Sequence, residues 1–72
     1  MDKLIVKGNR IASYFDMTGE TIEGEIIEVS FDKPMTLLRA EFEAKKLLRE
    51  LGGGHLDIWY AETGEFAIDI EI

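Results

Sequence analysis

Hydrophobic and polar residues alternate most regularly near the C-terminus. Leu56, Ile58 and Tyr60 alternate with His55, Asp57, Trp59 and Ala61. After Glu62-Thr63-Gly64-Glu65, the residues Phe66, Ile68, Ile70 and Ile72 alternate with Ala67, Asp69 and Glu71. A period of two over both arms predicts a β-hairpin from His55 to Ile72 with one buried and one wet face. Upstream the period changes. Leu37, Ala40, Ala44, Leu47, Leu48 and Leu51 fall within one arc at about 100° per residue, which predicts a helix from Met35 to Leu51. Pro34 suits its first turn, Asp32 and Thr36 are both candidate caps, and Gly52-Gly53-Gly54 stops it.

The N-terminal half reads as strands. Leu4-Ile5-Val6 is a short β-prone run, and Gly8-Asn9 suits a tight turn. A second strand is expected from Arg10 to Asp16, with Ile11, Ser13 and Phe15 on one side. Met17-Thr18-Gly19 then supplies the next turn. Thr21 to Phe31 reads as one longer strand whose apolar phase moves from Ile22, Gly24 and Ile26 to Ile27, Val29 and Phe31. That change of phase predicts a bulge or bend near Gly24 to Ile27. The order is β-β-β-α-β-β. One helix covers one face of about five antiparallel strands, so the expected fold is a two-layer α+β sandwich forming a single domain, residues 1–72.

That architecture leaves one sheet face open to solvent, and charge makes the face distinctive. The net charge is −7 over 72 residues. Six acidic residues and no basic one lie between 16 and 32, and five acidic residues with no Lys or Arg lie between 52 and 72. Both segments read as strands. Glu23, Glu25, Asp57, Trp59, Asp69 and Glu71 are therefore expected on the wet face, with His55 at its edge. Such a field repels nucleic acid and anionic membranes and favours basic protein partners. Trp59 is a natural anchor within it, because tryptophan is enriched at binding hot spots. The alternative is that the acid only keeps a small domain soluble.

A second feature lies on the helix. Met35, Leu38 and Phe42, spaced i, i+3, i+7, fall outside the core arc and beside Arg39, Lys45, Lys46 and Arg49. They form either scattered surface hydrophobes or a patch for a partner or a second copy.

Chemistry is sparse. Cysteine is absent, so neither disulfides nor thiolate metal sites are available, which suits a reducing compartment. No apolar run is long enough to span a bilayer, and the chain reads as a soluble cytoplasmic protein. His55 is the only histidine. It shares a strand face with Asp57, but Ser13 and Ser30 lie on other strands, and no nucleophile is placed beside it. A cation at Asp57, Asp69 and Glu71 is conceivable, but no loop has EF-hand spacing. No metal or other cofactor is assigned. Gly52-Gly53-Gly54 follows the helix and so meets the negative end of its dipole, the wrong end for phosphate. Binding, not catalysis, is the expected activity.

In general character the chain resembles small phage-encoded anti-defence proteins, above all anti-CRISPR proteins. The resemblance rests on its length, its charge of −7, the lone helix from Met35 to Leu51 and the hairpin from His55 to Ile72. Those proteins share no common signature, so no functional residue transfers by motif. The resemblance implies inhibition of a nuclease or surveillance complex by occupying its nucleic-acid-binding surface, so the chain is expected to be a non-enzymatic inhibitor acting in the host cytoplasm. The alternative function is an oligomeric structural or adaptor module, for instance a homodimer, assembled through Met35, Leu38 and Phe42.

Overall fold

The structure is a computed structural model and describes residues 12–72. Among the described residues it is α+β: four strands form an antiparallel sheet, and one helix packs on it. The strands are β1 (Phe15–Thr21), β2 (Ile26–Ser30), β3 (Gly54–Tyr60) and β4 (Phe66–Glu71), and helix α1 (Leu37–Glu50) lies between β2 and β3 in sequence. Across the sheet the order is β2-β1-β3-β4. The strand expected at Leu4-Ile5-Val6 and the Gly8-Asn9 turn lie outside the described residues.

Two N-terminal expectations are corrected. Met17-Thr18-Gly19 is not a turn but the middle of β1, paired on both sides: Met17 with Val29 and Ile58, Gly19 with Ile27 and Leu56. Glycine is needed at position 19 because a Cβ there would collide with the backbone carbonyl of His55 on β3. It is a close-approach glycine, not a turning one. The turn lies later, inside the segment read as one long strand. Gly24 N–H donates to the Thr21 carbonyl at 2.9 Å, Thr21 N–H donates to the Glu25 carbonyl at 2.9 Å, and Gly24 has φ of 95°. This is a three-residue hairpin loop closed by a left-handed glycine. The shift of apolar phase, expected as a bulge or bend within one strand, therefore marks a full reversal of the chain between two strands. In the expected strand from Arg10 to Asp16, Ser13 makes only an isolated bridge to Met35, and β1 begins at Phe15.

Helix α1 starts where Thr36 caps it, its hydroxyl accepting from Arg39 N–H at 3.1 Å. Pro34 precedes the helix instead of entering its first turn. At the other end Gly53 N–H donates to the Leu48 carbonyl at 2.7 Å and Gly52 N–H to the Arg49 carbonyl at 3.3 Å, a Schellman pair with both glycines at positive φ. Ala40, Ala44 and Leu48 are fully buried, and the two alanines let the helix backbone approach the sheet closely. They meet Phe15, Met17, Ile27, Leu56, Ile58 and Ile70 in one core. Leu51, expected in the stripe, is 44% exposed because it is the C-cap, where the chain leaves helical geometry. Among the described residues no helix is long and apolar enough to cross a membrane.

The second hairpin carries one surprise. Ile58 pairs with Ile68, but Trp59 pairs with Phe66, so Ala67 is an extra residue in β4. The bulge turns Phe66, expected on the core face, onto the outer face, where it is 53% exposed.

Candidate interaction face

The face of the sheet opposite α1 can be read as three rows crossing β2, β1, β3 and β4 in order. The first row is Ser30, Asp16, Trp59 and Phe66. The second is Glu28, Thr18, Asp57 and Asp69, and the third is Ile26, Glu20, His55 and Glu71. Six of these positions are carboxylates and none is Lys or Arg. One pair of acids stands directly in register on adjacent strands, Asp57 opposite Asp69, and its repulsion costs some tenths of a kcal/mol.

Asp57, Trp59, Asp69 and Glu71 all lie on this face. Glu23 and Glu25 do not. Glu23 is in the β1–β2 turn and Glu25 closes it, so both stand at one end of the sheet, exposed. Their expected places are taken by Asp16, Glu20 and Glu28. The signal for the first two was present as the alternation of Asp16, Thr18 and Glu20 with Phe15 and Met17. The turn propensity of Met17-Thr18-Gly19 masks it.

Within the face, two groups of side chains touch. The Trp59 indole Nε1–H donates to Thr18 Oγ1 at 3.0 Å, and its ring meets Phe66 edge-on with centroids 5.4 Å apart. This aromatic pair forms one corner of the acidic surface, with Trp59 half-buried against its own sheet. Two rows away, His55 Nε2 lies 3.0 Å from Asp57 Oδ1 and 3.8 Å from Asp69 Oδ2. Register places Glu20 and Glu71 on either side of His55. Ser30 is in the first row on the far edge strand, so the sheet separates it from His55 and assembles no Ser-His pair.

On the helix, Leu38 is 62% and Phe42 53% exposed, and the Arg39 guanidinium sits 5.1 Å above the Phe42 ring while pairing with Glu43 at 2.8 Å. Met35 does not join them. Its backbone pairs with Ser13, donating and accepting at 2.9 and 2.8 Å, and its half-buried side chain packs against the core. The patch therefore reduces to two residues.

Compared with protein families, with characterised proteins and with solved structures, the chain matches none of them.

Proposed function

We propose that the chain is a small non-enzymatic binding protein whose outer sheet face docks on a basic protein surface. In this reading it inhibits a nucleic-acid-handling protein by covering the surface that would hold phosphates, as the resemblance to anti-CRISPR proteins implies. It acts in the cytoplasm, the host's if the gene is a phage's. The supporting observation is the face itself: six carboxylates with no Lys or Arg among them, bordered by an aromatic pair. Carboxylates fixed on neighbouring strands present a two-dimensional negative array, and complementary charge gives a partner both fast association and a defined register. Trp59 and Phe66 add apolar area at the border, where a partner side chain can be desolvated.

The test is reversal of Glu28, Asp69 and Glu71 to lysine, three exposed outer positions whose side chains are not in the core. The wild type should capture a basic nucleic-acid-binding protein from host lysate and displace duplex DNA from it in a fluorescence-anisotropy competition. The reversed variant should fold equally well and fail to compete. Equal competition by both proteins overturns the reading.

The exposure of Leu38 and Phe42 supports a second reading, a homo-oligomeric or adaptor module assembled through the helix. It differs in kind, because the outer sheet face would then play no part in assembly.

A further inference from the structure

We propose that His55, Asp57 and Asp69 together bind a late first-row divalent cation, with zinc as its representative. The three ligand atoms come from two hydrogen-bonded strands, not from a loop. His55 and Asp57 stand two residues apart on one face of β3, and Asp69 is the register partner of Asp57 on β4. One imidazole nitrogen, Nε2, faces both carboxylates at 3.0 and 3.8 Å, and all three ligand atoms lie within 4.8 Å of one another. With metal–ligand bonds of about 2.0–2.2 Å, donors at neighbouring corners of a tetrahedron stand about 3.3–3.6 Å apart. The two separations from Nε2 straddle that value and the third is no more than 4.8 Å, so rotamer-scale movement on a rigid scaffold brings the three atoms around one ion.

The electrostatics point the same way. Asp57 and Asp69 face each other directly across the strand pair, and the only cationic or potentially cationic side chain paired with either, among the described residues, is His55. A single Nε2 cannot donate well to both carboxylates. A divalent ion would bridge both acids and the imidazole lone pair at once, with Glu20 and Glu71 flanking His55 and deepening the negative potential. The imidazole sets the class of ion. Nitrogen with carboxylates suits zinc and its neighbours, whereas calcium and magnesium prefer oxygen alone. Three protein donors leave a coordination position toward solvent.

The inference does not depend on the partner-binding reading, and its test uses the isolated chain with the metal alone. Zinc chloride is titrated by calorimetry into the wild-type 72-residue chain, His55→Gln, Asp57→Asn, Asp69→Asn and the turn variant Glu62→Gln. Calcium chloride is the comparison ion, and urea unfolding of each variant verifies the fold. The expected result is one saturable zinc site, weakened at least ~10-fold in each of the three cluster variants and unchanged in Glu62→Gln. Three outcomes overturn it: no saturable zinc binding by the wild type, zinc binding unchanged by His55→Gln, or calcium bound as tightly as zinc. The last two would mark a diffuse counterion atmosphere around the acids.

Discussion

Trp59 and Thr18 are joined across the two central strands by an indole N–H donating to a hydroxyl at 3.0 Å, on the side of the sheet away from the helix. The bond ties the largest side chain of the outer face to β1, while its ring makes a T-shaped contact with Phe66. Thr18→Val keeps the β-branched shape and removes the acceptor. Because the bond is partly solvated, stability should fall by no more than about 1 kcal/mol. The clearer effect should be on orientation, with lower steady-state anisotropy of Trp59 fluorescence in the variant. Unchanged anisotropy and stability would mean that the hydrogen bond does not position the ring.

Two glycines in the first hairpin should respond differently to the same substitution. Gly19→Ala drives a methyl group into the His55 carbonyl, a backbone atom that cannot swing aside, and should cost about 3 kcal/mol. Gly24→Ala meets nothing within 4 Å and suffers only from its left-handed φ of 95°, at about 1–2 kcal/mol. Urea denaturation of the pair gives the order, and the reverse order would place the turn at residues 17–19 after all.

Removing the cap should loosen the start of the helix without disturbing the sheet. Thr36→Ala deletes the hydroxyl that accepts from Arg39 N–H and should cost about 1 kcal/mol. Amide exchange should speed up more at Arg39 and Ala40, where the helix frays, than at Leu56 and Ile58, which follow only the small global loss.

Opposed like charges predict a stabilising change. In chelator-treated buffer at low salt, Asp69→Asn removes the repulsion with Asp57 and should raise stability by a few tenths of a kcal/mol. Added salt should shrink the gain, since these side chains are partly exposed and therefore screened. Chemical denaturation of both proteins at two ionic strengths would show it. A loss of stability would mean that the contact with His55 outweighs the repulsion.

If the helix patch assembles copies of the chain, sedimentation equilibrium of the wild type should show a dimer at high concentration that Leu38→Asp/Phe42→Asp abolishes. A wild type that remains monomeric removes the homo-oligomer reading. Both residues are exposed, so the double variant should fold normally.

The helix and the second hairpin were legible in the chain because each pattern repeats within one segment. Ala40, Ala44 and Leu48 share a stripe, and Leu56 and Ile58 alternate with His55, Asp57 and Trp59, whatever lies next to them. The pattern also places Asp57, Trp59, Asp69 and Glu71 on a single face. The first hairpin is not legible in the same way, because glycine has two uses. At 24 it supplies a positive φ, and at 19 it makes room for a neighbouring backbone. A linear sequence shows the missing side chain but not which strand approaches it.

By itself, then, the sequence determined the helix stripe, its glycine stop, the paired strands at the end of the chain and the excess of acid in the strand segments. These follow from the 3.6- and 2-residue periods of the backbone and from composition. Tertiary structure alone decided the exchange of Glu23 and Glu25 for Asp16, Glu20 and Glu28 on the outer face. It also decided the outward turn of Phe66 at the Ala67 bulge, the withdrawal of Met35 to Ser13, and the meeting of His55, Asp57 and Asp69. Each of these depends on strand register, and register is set by what the whole core can bury at once, not by any one segment.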